Sequence, residues 1–280
     1  PLWSGNFLIL LVCKMLAKRT LSALILAPPF VASIWFGYPY FNIFICVLGM
    51  VSVTEVVLIT NYQEGGKAST ISILVGFISG MCFISFGDYE LSLASFIFGG
   101  IIPIFSSKRN VINLLWMEFS YLYVVVACVS LIELRDLSEI GRQAIIWLFA
   151  VVWANDIGAY IIGRKFGSAR ITPQISPGKT WIGTFAGLFF AALVGWGIMP
   201  TFFKHEIIIT LIYFSVIIAI GAQIGDFLES YFKRLFGVKD SGTIIPGHGG
   251  VLDRSDGILL TAPFMLFALI FNPELTMLWK

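Results

Sequence analysis

An all-α bundle of about nine membrane-spanning helices, with a cytoplasmic N-terminus, is the fold class that this 280-residue sequence predicts. Three observations predict it. Apolar residues make up 58% of the chain and charged residues 12%, against about 45 to 50% and about 25% in soluble domains. The apolar residues fall in runs close to the roughly 20 residues that a helix needs to cross a hydrocarbon core. The cations are also unevenly shared: threaded through nine spans with the N-terminus inside, the chain places fourteen of its 18 Lys and Arg on the cytoplasmic side, as the positive-inside rule requires.

In chain order the expected spans are 21–37, 39–60, 70–86, 91–105, 111–132, 144–163, 180–200, 207–225 and 258–276. Pro28 and Pro29 interrupt the first, and Gly99, Gly100 and Pro103 the fourth, so these two are expected to be broken or tilted. Residues 6–13 are too short to span. Met15 reads as a more natural start, and residues 1–14 are expected to be an upstream extension or an interfacial segment. Five spans form an N-terminal region, 1–143, and the rest a C-terminal region, 144–280, whose cytoplasmic loops 164–179 and 226–257 carry the polar motifs. Residues 164–179 hold four cations and no acid, and no internal repeat of the transporter kind is visible.

Composition excludes several functions. A net charge of +2 spread along the chain is too small for a nucleic-acid binder. The four cysteines stand singly in apolar runs, without the spacing of a disulfide or metal framework.

Chemistry concentrates in the second half. If the eighth helix continues past the hydrocarbon, Asp226, Glu229, Ser230 and Lys233 share one face at i, i+3, i+4 and i+7. Lys239-Asp240-Ser241-Gly242 then leads into Pro246-Gly247-His248-Gly249-Gly250, whose glycines let a backbone turn sharply and aim amides at an anion. Asp253, Arg254, Ser255 and Asp256 follow at once. With Asp226 entering from the neighbouring helix, three carboxylates, Asp226, Asp253 and Asp256, can converge at the interface. Oxygen clusters of this kind suit Mg²⁺, which takes one or two carboxylates together with substrate phosphates. His248, with no second His or Cys at ligand spacing, is read as a phosphate contact.

Upstream, Asp156 lies inside a span, where an acid is a functional candidate by default. Ser176-Pro177-Gly178-Lys179-Thr180 lacks the first glycine of a P-loop and reads as a polar turn whose Ser176, Lys179 and Thr180 are available to a phosphate. Glu55 and Glu118 are intramembrane acids that stand alone in the sequence and are read as structural.

Residues 230–256, from Ser230-Tyr231-Phe232-Lys233-Arg234 through Lys239-Asp240 to Asp253-Arg254-Ser255-Asp256, resemble the signature of the phosphatidate cytidylyltransferase family. Asp156-Ile157-Gly158-Ala159-Tyr160 and Ser176 to Trp181 are similar to that family's other recurring segment, and the resemblance covers roughly residues 150–260. Two positions depart from the pattern: Ser255 replaces an apolar residue or Thr, and Ile182 stands where an acid commonly follows Lys-Thr-Trp.

The resemblance implies transfer of CMP from CTP to phosphatidic acid in the lipid bilayer, giving CDP-diacylglycerol and pyrophosphate. It implies Asp226, Lys233, Lys239, Asp253 and Asp256 as catalytic, and Asp226, Asp253 and Asp256 as Mg²⁺ ligands with a second cation such as K⁺. Ser176, Lys179, Thr180, Ser230, Arg234, Asp240, His248, Gly249, Arg254 and Asp156 are then expected at the substrates. It further implies a bacterial inner-membrane enzyme whose site faces the cytoplasm. Oligomeric state is left open, a homodimer included. A CTP-dependent polyprenol or phytol kinase and a transporter are the competing readings.

Overall fold

The computed structural model describes residues 24–60, 67–106, 111–138, 140–197, 208–244 and 249–279. These form nine α-helices and one short hairpin. The helices are α1 (Leu24–Phe36), α2 (Tyr40–Ile59), α3 (Lys67–Ser85), α4 (Tyr89–Ser106), α5 (Val111–Asp136), α6 (Gly141–Phe166), α7 (Trp181–Gly197), α8 (Ile208–Leu235) and α9 (Leu252–Phe271). A 3₁₀ turn, Pro273–Trp279, ends the described chain. Five of the helices are long and apolar enough to cross a membrane, and α1, α3, α4 and α7 supply shorter apolar helices. The protein is an integral membrane helical bundle.

Every expected span is a helix, but some boundaries move for physical reasons. Both α1 and α4 run unbroken through their prolines, so neither helix is broken there. Gly99 serves close packing instead: a Cβ built on Gly76 of α3 would meet its backbone, so the glycines let α3 and α4 touch. α8 extends ten residues beyond position 225, and α9 starts at Leu252 rather than 258. In both cases the charges that ended the apolar window lie inside the helix, because partners from neighbouring elements compensate them. Residues 176–180, expected as a polar turn, are instead the second strand of an antiparallel hairpin, β1 (Arg170–Thr172) and β2 (Ser176–Thr180), with Arg170 opposite Thr180.

One continuous apolar core runs through the bundle, with Phe41, Phe77, Tyr121 and Trp147 fully enclosed. The outer surface is also apolar, with Phe86, Phe105, Phe185 and Tyr213 exposed, as lipid contact allows and water would penalise. α6 packs on α7, α7 on α8, α8 on α9, α9 on α5 and α5 on α2. Helix α7 buries Gly183, Gly187, Ala191 and Gly195, one small residue every four. This stripe lets α7 sit tightly between α6 and α8: a Cβ on Gly183 would stand 2.8 Å from the Ala159 carbonyl oxygen of α6. Similarly, a Cβ on Gly225 would stand 2.6 Å from the Asp256 carbonyl oxygen, so α8 and α9 approach closely beside Asp226 and Asp256.

Candidate active site

At one end of the bundle meet the C-terminal parts of α2, α6 and α8, the hairpin, the 239–244 loop and the N-terminus of α9. The expected stripe on α8 is present. Ser230 donates to Asp226 Oδ1 at 3.4 Å, and Lys233 Nζ donates to Glu229 Oε1 at 2.9 Å and to Asp253 Oδ1 at 2.6 Å. Lys233 and Glu229 are buried, so this pairing of α8 with α9 is shielded from water. Asp253 also accepts the Ser241 amide at 2.9 Å and the Gly250 amide at 2.9 Å through Oδ2. Its oxygens therefore tie the loop to α9. Gly249 makes this possible, with a φ of +87° and no room for a Cβ, which would stand 2.6 Å from Asp253 Oδ2.

Three further carboxylates form a second group beside it, Asp256 and Glu229 repelling each other across the boundary. Asp156 on α6, Asp226 on α8 and Asp256 on α9 lie close enough for each to repel the other two. Lys179 from β2 ion-pairs with Asp226 Oδ2 at 2.8 Å, and the charges of Lys179 and Arg254 both act on Asp156. Asp156 accepts a hydrogen bond from Asn155 at 3.0 Å, whose own carbonyl accepts from Gln223 at 2.7 Å. Gln223 also donates to the Thr184 carbonyl at 3.1 Å, so one amide pair fixes α6, α7 and α8 beneath the acids.

Other expected site residues have structural partners. Thr180 is buried and its hydroxyl accepts the Gly183 amide at 3.2 Å, capping α7. Arg234 donates to the Ile175 carbonyl at 3.1 Å and to the Val238 carbonyl at 3.0 Å, holding the hairpin against the end of α8. Ser176 is half-buried in β2, while Lys239, Asp240 and Arg254 are exposed at the same end of the bundle. The Ser255 hydroxyl bonds back to the Val251 carbonyl at 3.0 Å, so a polar residue at that position is accommodated within its own helix. His248 lies outside the described residues.

Glu55 does not stand alone. Fully buried on α2, it accepts the Ser241 hydroxyl at 2.9 Å, the Val251 amide at 2.9 Å and the Leu252 amide at 2.8 Å. No side chain of its own caps α9. Glu55 supplies that cap from another helix, where the first amides need acceptors and the helix dipole favours an anion. The intramembrane position of Glu55 was a signal of function, but its partners lie almost two hundred residues along the chain. Gln223, also unmarked by the motifs, had a similar signal as an amide in an apolar run, one turn before Asp226. Glu118 packs beside Gly100 of α4 instead.

Among the described residues no three His, Cys, Asp or Glu side chains close into a ready-made metal cage. An ion that takes one or two carboxylates and completes its shell with phosphate and water, as Mg²⁺ does, needs none. Asp226 and Asp256, hard donors on adjacent helices that repel each other, fit an ion of that kind.

Residues 17–271 match the model of a family described as the cytidylyltransferase family. The chain is 43% identical over 152 residues to a phosphatidate cytidylyltransferase of Rickettsia bellii (strain RML369-C), covering 52% of this chain and 66% of that protein. To the phosphatidate cytidylyltransferase of Brucella suis biovar 1 it is 40% identical over 169 residues, 56% of this chain and 58% of the relative. With that of Staphylococcus epidermidis (strain ATCC 12228 / FDA PCI 1200) the match is weaker but longer, 34% over 227 residues and 81% of both chains. The match thus spans 66% of the Rickettsia protein, 58% of the Brucella one and 81% of the Staphylococcus one.

Proposed function

Because the chain belongs to the cytidylyltransferase family, we propose that it transfers CMP from CTP to phosphatidic acid, releasing pyrophosphate and leaving CDP-diacylglycerol in the membrane. The observation that carries this reading is the junction of Asp156, Asp226 and Asp256 with Lys179 and Arg254 at one end of an otherwise apolar bundle. Both substrates are anions, and two unit charges about 4 Å apart repel by about 4 kcal/mol at an effective dielectric near 20. A site for the reaction must hold cations against both.

Lys179, paired with Asp226 at 2.8 Å, is placed to exchange that carboxylate for a nucleotide phosphate. Arg254, whose charge reaches Asp156, offers a planar fork to the lipid phosphate. Asp226 and Asp256 would hold Mg²⁺, which when bound neutralises phosphate charge and stabilises the departing pyrophosphate. The lipid phosphate, with a second pKa of about 6, is already ionised at neutral pH, so its oxygen can attack the α-phosphorus without a strong general base. Lys233, held by Glu229 and Asp253, keeps α8, α9 and the loop in register beside that reaction. Residues 164–179 and 226–257 carry the cations of the proposed cytoplasmic face, and the bacterial relatives fit an inner-membrane location.

The test is purified protein with phosphatidate, Mg²⁺ and CTP labelled at either the α- or the γ-phosphate. The reading expects the α label in the lipid and the γ label in pyrophosphate. Label reaching lipid only from the γ position would make the protein a kinase. Absence of turnover with flux across liposomes, abolished by Asp156→Asn, would make it a transporter.

A further inference from the structure

A half-open cavity of about 420 Å³ lies between α1, α2, α5, α6 and α9. Phe30, Leu48, Phe149, Trp153 and Ile258 give it an apolar wall. Two serines on that wall, Ser52 and Ser255, already spend their hydroxyls on the Leu48 and Val251 carbonyls of their own helices. Arg254 is the one charged residue among the described lining, and it stands at the end nearest the acids, with its charge acting on Asp156. From Arg254 to Leu259 the cavity follows α9 for about 7.5 Å at 1.5 Å per residue, leading away from that charge.

We propose that this cavity takes one acyl chain of the phosphatidic acid, resting on the function proposed above. Charge complementarity sets the direction: a phosphate at Arg254 puts the glycerol at the cavity mouth and one chain along its apolar wall. The volume suits the occupant. At the roughly 30 Å³ that a water occupies in the liquid, a figure a methylene approaches, the cavity holds on the order of 14 such groups. The chain gains little apolar stabilisation, because it leaves one hydrocarbon medium for another. The cavity instead fixes orientation, holding the head group where its phosphate oxygen faces the nucleotide. Selectivity for chain length and shape follows.

Ala27 lines the cavity and is exposed, so a larger side chain there fills the space without displacing the packed core. The experiment compares Ala27→Trp with the parent on dioleoyl- and dihexanoyl-phosphatidate, using α-labelled CTP. The ratio of the long-chain KM to the short-chain KM is expected to rise about tenfold. An unchanged ratio overturns the proposal, whether the face is then found to be covered by a second copy of the chain or by residues preceding α1. A second measurement does not depend on turnover. Phosphatidate with a photoreactive diazirine in one acyl chain is expected to label α1 or α6 at the cavity wall, and several-fold less in Ala27→Trp. Phosphatidylcholine with the same group is expected to label that wall more weakly than phosphatidate. Equal labelling by both lipids, or labelling confined to the outer helix faces, overturns it. If the parent transfers no CMP to either lipid while phosphatidate still labels the wall, the reaction reading fails and the cavity assignment stands.

Discussion

Replacing Glu55 by Gln tests whether the N-terminal helices hold the catalytic loop. The side chains have nearly the same shape, so packing on α2 is kept while one acceptor oxygen becomes a donor. In the parent, Oε1 accepts Val251 and Oε2 accepts both Ser241 and Leu252. However the amide is turned, its NH₂ faces a backbone N–H. One bond is lost and leaves a buried donor unsatisfied, at about 1–3 kcal/mol, and the bonds that survive lose their charge assistance, worth about 1 kcal/mol each. The expected cost is about 3–5 kcal/mol. A chain of this size loses about 2–4 °C of Tm per kcal/mol, so the detergent-solubilised variant should melt on the order of 10 °C lower. Turnover should fall by at least tenfold at temperatures where both proteins are folded, because the Ser241 amide that moves with the loop also holds Asp253, and Asp253 holds Lys233. Ser241→Ala, which removes one of the three bonds, should cost about 1 kcal/mol, and combining it with Glu55→Gln should cost less than the two added. Parental Tm and parental turnover in Glu55→Gln would refute the reasoning.

Asp256→Asn should abolish CMP transfer in the labelled-CTP assay while leaving the thermal melt near that of the parent, since a repelling carboxylate is removed from beside Asp226 and Asp156. Lys233→Met should express poorly or melt far below the parent: it leaves Glu229 and Asp253 without their shared cation, and breaking a buried pair from one side costs about 3–5 kcal/mol. Lys179→Ala should change stability by less than about 1 kcal/mol, its ion pair being partly solvated, while raising the KM for CTP; an unchanged KM would remove Lys179 from the nucleotide. Gly225→Ala should separate α8 from α9 and cost about 1–3 kcal/mol through overpacking, read as lower Tm and lower turnover together.

The nine helices were legible because lipid leaves the backbone few alternatives: each run of about 20 apolar residues must satisfy its own amides as a helix. Boundaries were less legible for the same reason. A hydropathy window stops at Asp226 and resumes after Asp256, whereas the helices pass these residues because Lys179, Lys233 and backbone amides compensate the charge. The hairpin was invisible because three- and five-residue strands carry too little periodicity, and its hold on α8 comes from Arg234 reaching the Ile175 carbonyl. Within the site, the α8 stripe could be read from helical spacing alone. Which carboxylates face one another could not: Asp253 and Asp256 lie three residues apart, yet one is turned to Lys233 and the loop amides while the other meets Asp226 and Asp156. Spacing places residues on a helix face, but only the packing of α9 against its neighbours separates those two directions.

That separation gives the polar end of the bundle two kinds of acid. Glu55 and Asp253 have their oxygens filled by amides, a hydroxyl and an ammonium group, and so act as fixed joints between α2, α8, α9 and the loop. Asp156, Asp226 and Asp256 repel one another and are eased only in part: Asp156 by Asn155, Lys179 and Arg254, Asp226 by Lys179, and Asp256 by the Gly257 amide and the charge of Lys233. The first group is satisfied within the protein, so a ligand gains nothing by displacing its partners. The second carries excess negative charge at close range, which is where added cations and the anions they bring are stabilised most. The joints hold that charge in place: unless α2 clamps the start of α9, Asp256 is free to move away from Asp226. The N-terminal half, which lacks the signature motif, therefore supplies the restraint on which the motif's carboxylates depend.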